Sequence, residues 1–371
     1  MSTFHIGLYF SNFSGGGIQR VMLSLSEGFL RLGWQVDLIL VQADGPLRAE
    51  IPQGARLIDL KAGKSTRSIL KLAAYLASES PAVVLSSQTH LNVSAIIARF
   101  LSGWKGRLLV SEHIALDFSA QNPNSWKDRL HPLLASLFYH WADQIILVSF
   151  EAARRFMKIT HLPANKIKVI YNPIVSQKLL EQSTIQPDHP WFKSPGLKVI
   201  LAAGRLVKQK DFKTLLKSFS LLKTKLPMAR LMILGDGKEH PQLMRLAKNL
   251  GLEDAVHFPG FVVNPFAYMA HSSVFVLSSQ WEGFANVLVE SMACGTPVIS
   301  TNCPSGPSEI LEDGKYGILT PVGDANALAE AILDTLAHPI PPEILRQRAM
   351  SFSVDNILNQ YISDIFQVTA N

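Results

Sequence analysis

Glu282 and Glu290 bracket the run Gly283-Phe284-Ala285-Asn286-Val287-Leu288-Val289. An apolar segment, Val274 to Leu277, precedes them and reads as a strand. Met292-Ala293-Cys294-Gly295-Thr296-Pro297 follows as a helix stop, and Val298-Ile299-Ser300 reads as a second strand. The pattern predicts a helix opening at Phe284, with one carboxylate on each side of its N-terminus. Such an N-terminus presents backbone N–H groups and a positive dipole end, which suit a phosphate. Six to eight helical residues rise roughly 10 Å, about the span between the ribose and the sugar of a nucleotide-diphospho-sugar. Each acid would then take hydroxyls at one end of the ligand. The same pair also fits a capping role for Glu282 and an ordinary exposed helix position for Glu290.

Two cations sit where they could serve the same ligand. Gly204-Arg205-Leu206-Val207-Lys208-Gln209-Lys210 follows an expected strand, Val199–Ala203. Arg205 and Lys210 at that strand's end would stabilise the charge that develops on a departing diphosphate. Ordinary surface cations at a loop are the alternative. Gly235-Asp236-Gly237 ends the next strand and allows a tight backbone turn. Gly15-Gly16-Gly17, between the first strand and the first helix, lets a ligand approach the backbone closely, although a plain tight turn fits equally. His113, after Glu112 and the expected strand Arg107–Ser111, is the histidine best placed at a strand end; a structural or solvated role remains open. There is no H-E-x-x-H, no loop D-x-D and no Cys/His cluster in the sequence, so no metal is expected.

The elements that must position these residues alternate strand and helix. In the first half, strands are expected at His5–Phe10, Gln35–Val41, Ala82–Ser86, Arg107–Ser111, Gln144–Val148 and Ile167–Ile170, with helices between them. That order implies a parallel sheet covered on both faces. The alternation lapses over Ser176–Gly196, which contains Pro187, Pro190 and Pro195, and restarts at Val199. The expected organisation is a first domain over 1–175, a linker over 176–196 and a second domain over 197–353. Both are α/β and doubly wound, facing each other across a cleft, with ligands beyond the C-terminal ends of the strands. Val354–Val368 has helical apolar spacing at Ile357, Tyr361, Ile362, Ile365 and Phe366.

Composition sets limits on the alternatives. The 371 residues are 47% hydrophobic and 17% charged, which suits two globular cores. No apolar run is long enough to span a bilayer, and Met1 to Phe10 lacks the basic start of a signal peptide. Two cysteines, Cys294 and Cys303, make no disulfide framework and fit a reducing cytoplasm. The net charge of +6 lies entirely in residues 1–190, which hold 19 Lys/Arg and 13 Asp/Glu. A basic half could meet anionic lipid, a phosphorylated acceptor or nucleic acid, or serve only as a solubilising surface. Two segments suggest a membrane face: Lys61–Arg67 with the helix after it, and Trp126–Trp141, which mixes basic residues with Trp and Leu. A core-facing helix is the other reading of the second.

Together the motifs resemble the retaining glycosyltransferases of family 4, which have the GT-B fold. The resemblance spans nearly the whole chain. It rests on Gly15–Gly17, Glu112-His113, Tyr171-Asn172-Pro173, Gly204-Arg205 with Lys210, Gly235-Asp236-Gly237, Glu282 to Glu290, and Ala293-Cys294-Gly295-Thr296-Pro297-Val298. It implies that Glu290 holds the donor ribose and Glu282 contacts the transferred sugar. It also implies that the backbone of Phe284, Ala285, Asn286 and Val287, with Arg205 and Lys210, binds the diphosphate. His113 and the glycine loop would face the sugar and the acceptor, and the last helix, 354–371, would complete the first domain. Two positions depart from the family pattern: Ala285 and Asp211 stand where glycine is frequent.

The Cys303-Pro304-Ser305-Gly306-Pro307-Ser308-Glu309-Ile310 run is similar to bacterial members that build lipid-linked glycans, surface polysaccharide or lipopolysaccharide. The implied activity is transfer of a hexose or N-acetylhexosamine from a UDP-sugar to such an acceptor. It would occur in the cytoplasm on the inner membrane face, without a cofactor or a nucleic-acid partner. A sugar-nucleotide epimerase of the same fold, and a non-catalytic sugar-nucleotide or glycan-binding subunit of a transferase complex, are the rival readings.

Overall fold

The structure is a computed structural model and describes residues 4–113, 116 and 129–366. The chain divides into two compact units, 1–173 with 354–371, and 174–353. Among the described residues no helix is long and apolar enough to cross a membrane.

The first unit is built on strands β1 (His5–Phe10), β2 (Gln35–Leu40), β3 (Arg56–Asp59), β4 (Val83–Ser87), β5 (Arg107–Glu112), β6 (Gln144–Leu147) and β7 (Ile167–Val169). They form one parallel sheet in the order β3-β2-β1-β4-β5-β6-β7. The inner strands are apolar on both sides because helices cover both faces. Helices α1 (Gly17–Arg31), α2 (Ser65–Glu79) and α3 (Thr89–Ser102) make the early crossovers. The sheet reverses direction of growth between β1 and β4, so the loops after those strands diverge and leave a crevice at their C-terminal ends. β3 was not expected. Its four residues carry Arg56, whose guanidinium bonds buried Asp37 at 2.5 Å, so an edge strand hides its anchor in a polar residue.

The second unit repeats the plan with β8 (Lys198–Ala203), β9 (Ala229–Leu234), β10 (Val256–Gly260), β11 (Val274–Leu277), β12 (Val298–Thr301) and β13 (Ile318–Thr320). The order is β10-β9-β8-β11-β12-β13, again parallel, with its reversal between β8 and β11. The 176–196 segment, read from sequence as a linker, carries helices Gln177–Ser183 and Pro190–Lys193 and lies in this unit. Asn264 Nδ2 bonds the Gln182 carbonyl at 2.9 Å, which ties the first of those helices to the unit. β13 and a helix at Pro342–Met350 were also not read from the sequence.

The C-terminal segment belongs to the first unit. It is α-helical over Val354–Gln360 and continues as a wider π-turn over Tyr361–Phe366. Residues 367–371, and Trp126 to Asp128 of the Trp-rich segment, lie outside the described residues. Gly28 of α1 makes this docking close: a Cβ there would meet Leu358 Cδ1 at 2.1 Å and Val354 Cγ1 at 3.1 Å. Phe29, Trp34, Tyr361 and Phe366 stack beside it, with Phe29 and Trp34 parallel at 4.9 Å. Replacing Gly28 with Val should overpack this contact and cost about 1–3 kcal/mol. A denaturant midpoint equal to the wild type's would show that the last helix is held by something else.

Candidate functional site

In the second unit the candidate residues converge on the β8/β11 reversal. The loop after β8 carries Gly204, exposed Arg205, buried Leu206 and a 3₁₀ turn, Lys208–Lys210. The loop after β11 carries Ser278, Ser279 and Glu282, all buried. Lys210 Nζ reaches Glu282 Oε1 at 2.5 Å, and Ser279 Oγ donates to the same oxygen at 2.5 Å. Both bonds fall on Oε1, and neither falls on Oε2. Ser278 Oγ donates to the Lys210 carbonyl at 2.8 Å, and Gln209 Nε2 to the Trp281 carbonyl at 2.9 Å. The two loops are thus sewn together across the reversal. Arg205 has no side-chain hydrogen bond or ion pair among the described residues, so it is the uncommitted cation beside a paired one.

The glycines make this convergence possible. Gly204 has φ +157, and a Cβ on it would meet Lys210 Cε at 3.1 Å, so the lysine stem lies over the bare backbone. A Cβ at Gly235 would meet the Gly204 carbonyl oxygen at 2.1 Å, and one at Gly237 would meet that of Leu206 at 2.4 Å. The Gly235-Asp236-Gly237 turn therefore packs main chain on main chain against the Arg205 loop. The Asp236 carbonyl accepts from Leu206 N–H at 2.9 Å.

The helix between the two glutamates runs Asn286–Ala293, two residues later than the sequence implied. Ala285 is the reason: it sits at the N-cap in the left-handed region, φ +67 and ψ +55, so Phe284 and Ala285 belong to the turn before the helix. Four helical steps, about 6 Å of rise, separate Asn286 from buried Glu290, and the Glu282–Asn286 turn supplies the remaining span. Gly306 packs under this turn; its Cβ would meet the Phe284 carbonyl oxygen at 2.4 Å. Asp211, the other departure from the family pattern, is also left-handed, at φ +44. Its carboxylate caps the following helix by accepting from Thr214 N–H and Oγ1–H at 3.3 and 2.8 Å. Asp thus tolerates a glycine conformation and contributes a cap.

In the first unit, Gly15 has φ +88, Gly16 is extended, and α1 begins at Gly17. Buried Gln19 folds back over this loop. Its Oε1 would lie 2.7 Å from a Gly16 Cβ, and its Nε2 approaches Ser14 Oγ at 3.3 Å. His113 stands after β5. Ser111 Oγ donates to the Ser86 carbonyl at 3.0 Å, so the 3.1 Å contact between Ser111 Oγ and His113 Nε2 needs the proton on Nε2. Burial lowers the His113 pKa to about 4, with a smaller opposing effect from the Asn172 side chain. The ring is therefore neutral near pH 7, with its lone pair on Nδ1.

Glu112 is buried on the other face of the strand and accepts from Tyr139 O–H and, at 3.2 Å, from Asn92 Nδ2. Burial pushes its pKa up to about 7, against the lowering effect of those donors and Thr89.

Sequence reasoning selected Arg205, Lys210, Glu282, Glu290, His113 and the glycines. It passed over Gln19, Gln209, Ser278, Ser279 and Tyr139. Ser278-Ser279 carried a signal, a polar pair between an apolar strand and a loop acid. Gln209 and Tyr139 carried none.

Two doubly wound parallel sheets, one with cations and a helix N-terminus gathered at its reversal, define the GT-B class of α/β proteins. The model for Glycosyltransferase Family 4 matches residues 15–178, and that for Glycosyl transferases group 1 matches residues 187–352. The N-acetylgalactosamine-N,N'-diacetylbacillosaminyl-diphospho-undecaprenol 4-alpha-N-acetylgalactosaminyltransferase of Campylobacter jejuni is 29% identical over 345 residues, covering 88% of each chain. An uncharacterized glycosyltransferase of Methanocaldococcus jannaschii, MJ1059, is 33% identical over 279 residues, 69% of this chain and 67% of that one. Anabaena HepE in complex with UDP-glucose superposes with a TM-score of 0.77 at 22% identity, covering 98% and 99% of the two chains. The chain belongs to glycosyltransferase family 4 and is a glycosyltransferase.

Ala285→Gly removes a left-handed Cβ penalty of about 1–2 kcal/mol and returns about 0.4–1 kcal/mol to unfolded-chain entropy. A net gain near 0.5–1 kcal/mol in chemical denaturation is expected; a loss would mean that the alanine methyl packs favourably.

Glu112 gives a pH test. Its folded pKa, about 7, exceeds the ordinary 4.5, so the native state holds the extra proton between those values. Stability should then fall as pH rises from about 4.5 to 7, on the order of 3 kcal/mol in total from this group. In Glu112→Gln that part of the slope should vanish. Parallel stability–pH curves for the two proteins would contradict the burial argument.

Proposed function

We propose that the chain is a retaining transferase that moves a hexose or N-acetylhexosamine from a UDP-sugar to a hydroxyl of a lipid-linked glycan, polysaccharide or lipopolysaccharide acceptor. The observation that carries this reading is the Lys210–Glu282 pair beside uncommitted Arg205 at the β8/β11 reversal. A diphosphate bound to the Phe284–Val287 turn and the two cations would place its sugar beside Glu282, whose Oε2 takes a sugar hydroxyl. Glu290, four helical residues into the Asn286–Ala293 helix, takes the ribose hydroxyls, and the Gly235-Asp236-Gly237 turn completes the donor side. Support for the donor comes from HepE, which was solved with UDP-glucose. Support for the acceptor comes from the Campylobacter relative, whose name specifies a diphospho-undecaprenol-linked substrate and an alpha linkage.

In the proposed reaction the acceptor oxygen bonds to the anomeric carbon on the face from which the diphosphate leaves. The bond from that carbon to the phosphate oxygen breaks with its electron pair passing to UDP. The acceptor proton goes to the departing phosphate. Arg205 and Lys210 stabilise the charge that accumulates there. Neutral His113 and the Gly15–Gly17 loop of the first unit serve the acceptor and add no charge that would hold the proton back. The proposed reaction draws its charge stabilisation from Arg205 and Lys210 and takes no metal. The lipid-borne acceptor places the enzyme on the cytoplasmic face of the membrane as a peripheral protein.

A panel of UDP-, GDP- and ADP-sugars separates the donors by thermal shift. The correct donor at 100 times its Kd should add about 2.7 kcal/mol, and the reading fails if the UDP-sugars leave stability unchanged. Folded Arg205→Ala should lose about 10²–10³ in kcat. Near-normal turnover would remove the leaving-group role from this loop.

A further inference from the structure

The helix over His131–Phe138, the residue that precedes it and the turn after it carry four large apolar side chains in the wrong place for a soluble surface. Leu130, Leu133, Leu137 and Trp141 recur at intervals of three, four and four residues, so they form one stripe along the helix. They are 41, 55, 52 and 44% exposed, while Ala135 and Tyr139 on the opposite side are completely buried. The helix is thus apolar on both faces, although only one faces the core. Phe100, 60% exposed near the end of α3, extends the stripe by packing edge-on to Trp141 at 5.5 Å. Single exposed apolar residues are ordinary, but a contiguous row of this length marks a contact surface.

The charge around the stripe identifies the contact. From Arg129 through Lys168 the chain holds Arg129, Arg154, Arg155, Lys158, Lys166 and Lys168 against only Asp143 and Glu151. Both acids are committed: Asp143 to Arg99 at 2.8 Å and Glu151 to Arg155 at 2.9 Å. Arg129, Arg154 and Lys158 are exposed. Lys166 donates to the Ala142 carbonyl at 3.1 Å and Arg99 to that of Trp141 at 3.3 Å, which sets two more cations at the far end. The helix Phe150–Thr160, which carries Arg154 and Lys158, packs against the helix of the stripe, and Arg129 precedes the stripe in sequence; basic residues beside an apolar, Trp-containing row match a bilayer surface with anionic headgroups. The other basic segment, around Lys61–Arg67, lacks such a row: Leu70 is the exposed large apolar residue of α2.

We propose that the Leu130–Leu133–Leu137–Trp141 stripe with Phe100 inserts into an anionic lipid surface, and that Arg129, Arg154 and Lys158 bind its headgroups. The stripe starts at the C-terminal edge of the first unit's sheet, where His113 and the glycine loop stand, so docking presents that edge to a lipid-borne acceptor. This purpose rests on the acceptor reading above; the docking itself does not.

The test is co-sedimentation of the full chain with vesicles of phosphatidylcholine, with and without one quarter phosphatidylglycerol. Wild type should bind the anionic vesicles, and 0.5 M salt should weaken that binding. Leu133→Ser/Leu137→Ser should lower the partition coefficient at least about ten-fold without lowering Tm. Arg154→Glu/Lys158→Glu should weaken binding to the anionic vesicles alone. Wild-type partitioning by the serine variant overturns the proposal. So does a wild type that ignores anionic vesicles, or a serine variant whose sole change is from dimer to monomer. UDP-sugar thermal shifts on the same variants should match wild type. Loss of vesicle binding with donor binding intact therefore bears on the surface alone, and absent donor binding bears on the reaction alone.

Discussion

The ion pair between Lys210 and Glu282 joins residues 72 positions apart and closes the β8/β11 reversal. Neither side chain is more than slightly accessible: 15% for the lysine and 8% for the glutamate. Desolvating two charges at an open strand edge is costly, and a pair in such a place is poor value as a stability device alone. It is retained with extra donors, Ser279 on the carboxylate and Ser278 on the Lys210 carbonyl, as a charge cluster must be if it is to survive burial. The pair also needs bare backbone beneath it, which Gly204 supplies, and Gly204 in turn is wedged by Gly235. Ion pair, serines and glycines form one constraint, and the position of Arg205 is set by it.

The two left-handed residues show how the chain departs from its family pattern without losing the geometry. At Asp211 the side chain returns two hydrogen bonds for the strain. Ala285 has no such compensation in a side chain, and its strain persists because the surrounding turn is overdetermined: Gly306 packs under Phe284, and Glu282 N–H bonds the Pro304 carbonyl at 3.2 Å. A strained residue held in place immediately before a helix N-terminus delays the helix to Asn286. The backbone of Phe284 and Ala285 is thereby kept out of the helix and in the turn.

How much of this was legible depends on which physical signal carries each feature. Buried parallel strands such as Ile6–Phe10 or Val274–Leu277 are unbroken apolar runs, so the alternation and the α/β class could be read directly. β3 was missed because a four-residue edge strand led by Arg56 offers too few apolar positions to register. The start of the helix was misplaced because alanine ordinarily favours helix, and nothing in one sequence reveals that Ala285 is left-handed. Lys210 and Glu282 were each selectable from their own loops. Their bond was not, because long-range pairing follows from strand order, and that order is fixed by packing.

Two polar clusters, one in each unit, differ in counter-charge, although the first unit also pairs buried Asp37 with Arg56. In the second unit Lys210 pairs with Glu282, and Lys213 with buried Glu239 at 3.0 Å. In the first, Glu112 and His113 face no opposite charge among their hydrogen-bond partners, which are Tyr139, Asn92, Thr89, Ser111 and Asn172. Desolvation therefore acts unopposed by counter-charge and pushes both toward neutrality, the acid upward and the base downward. In the reaction proposed above, the paired cluster of the second unit would hold an anionic leaving group, and the neutral pair of the first would carry no charge to hold back a nucleophile's proton.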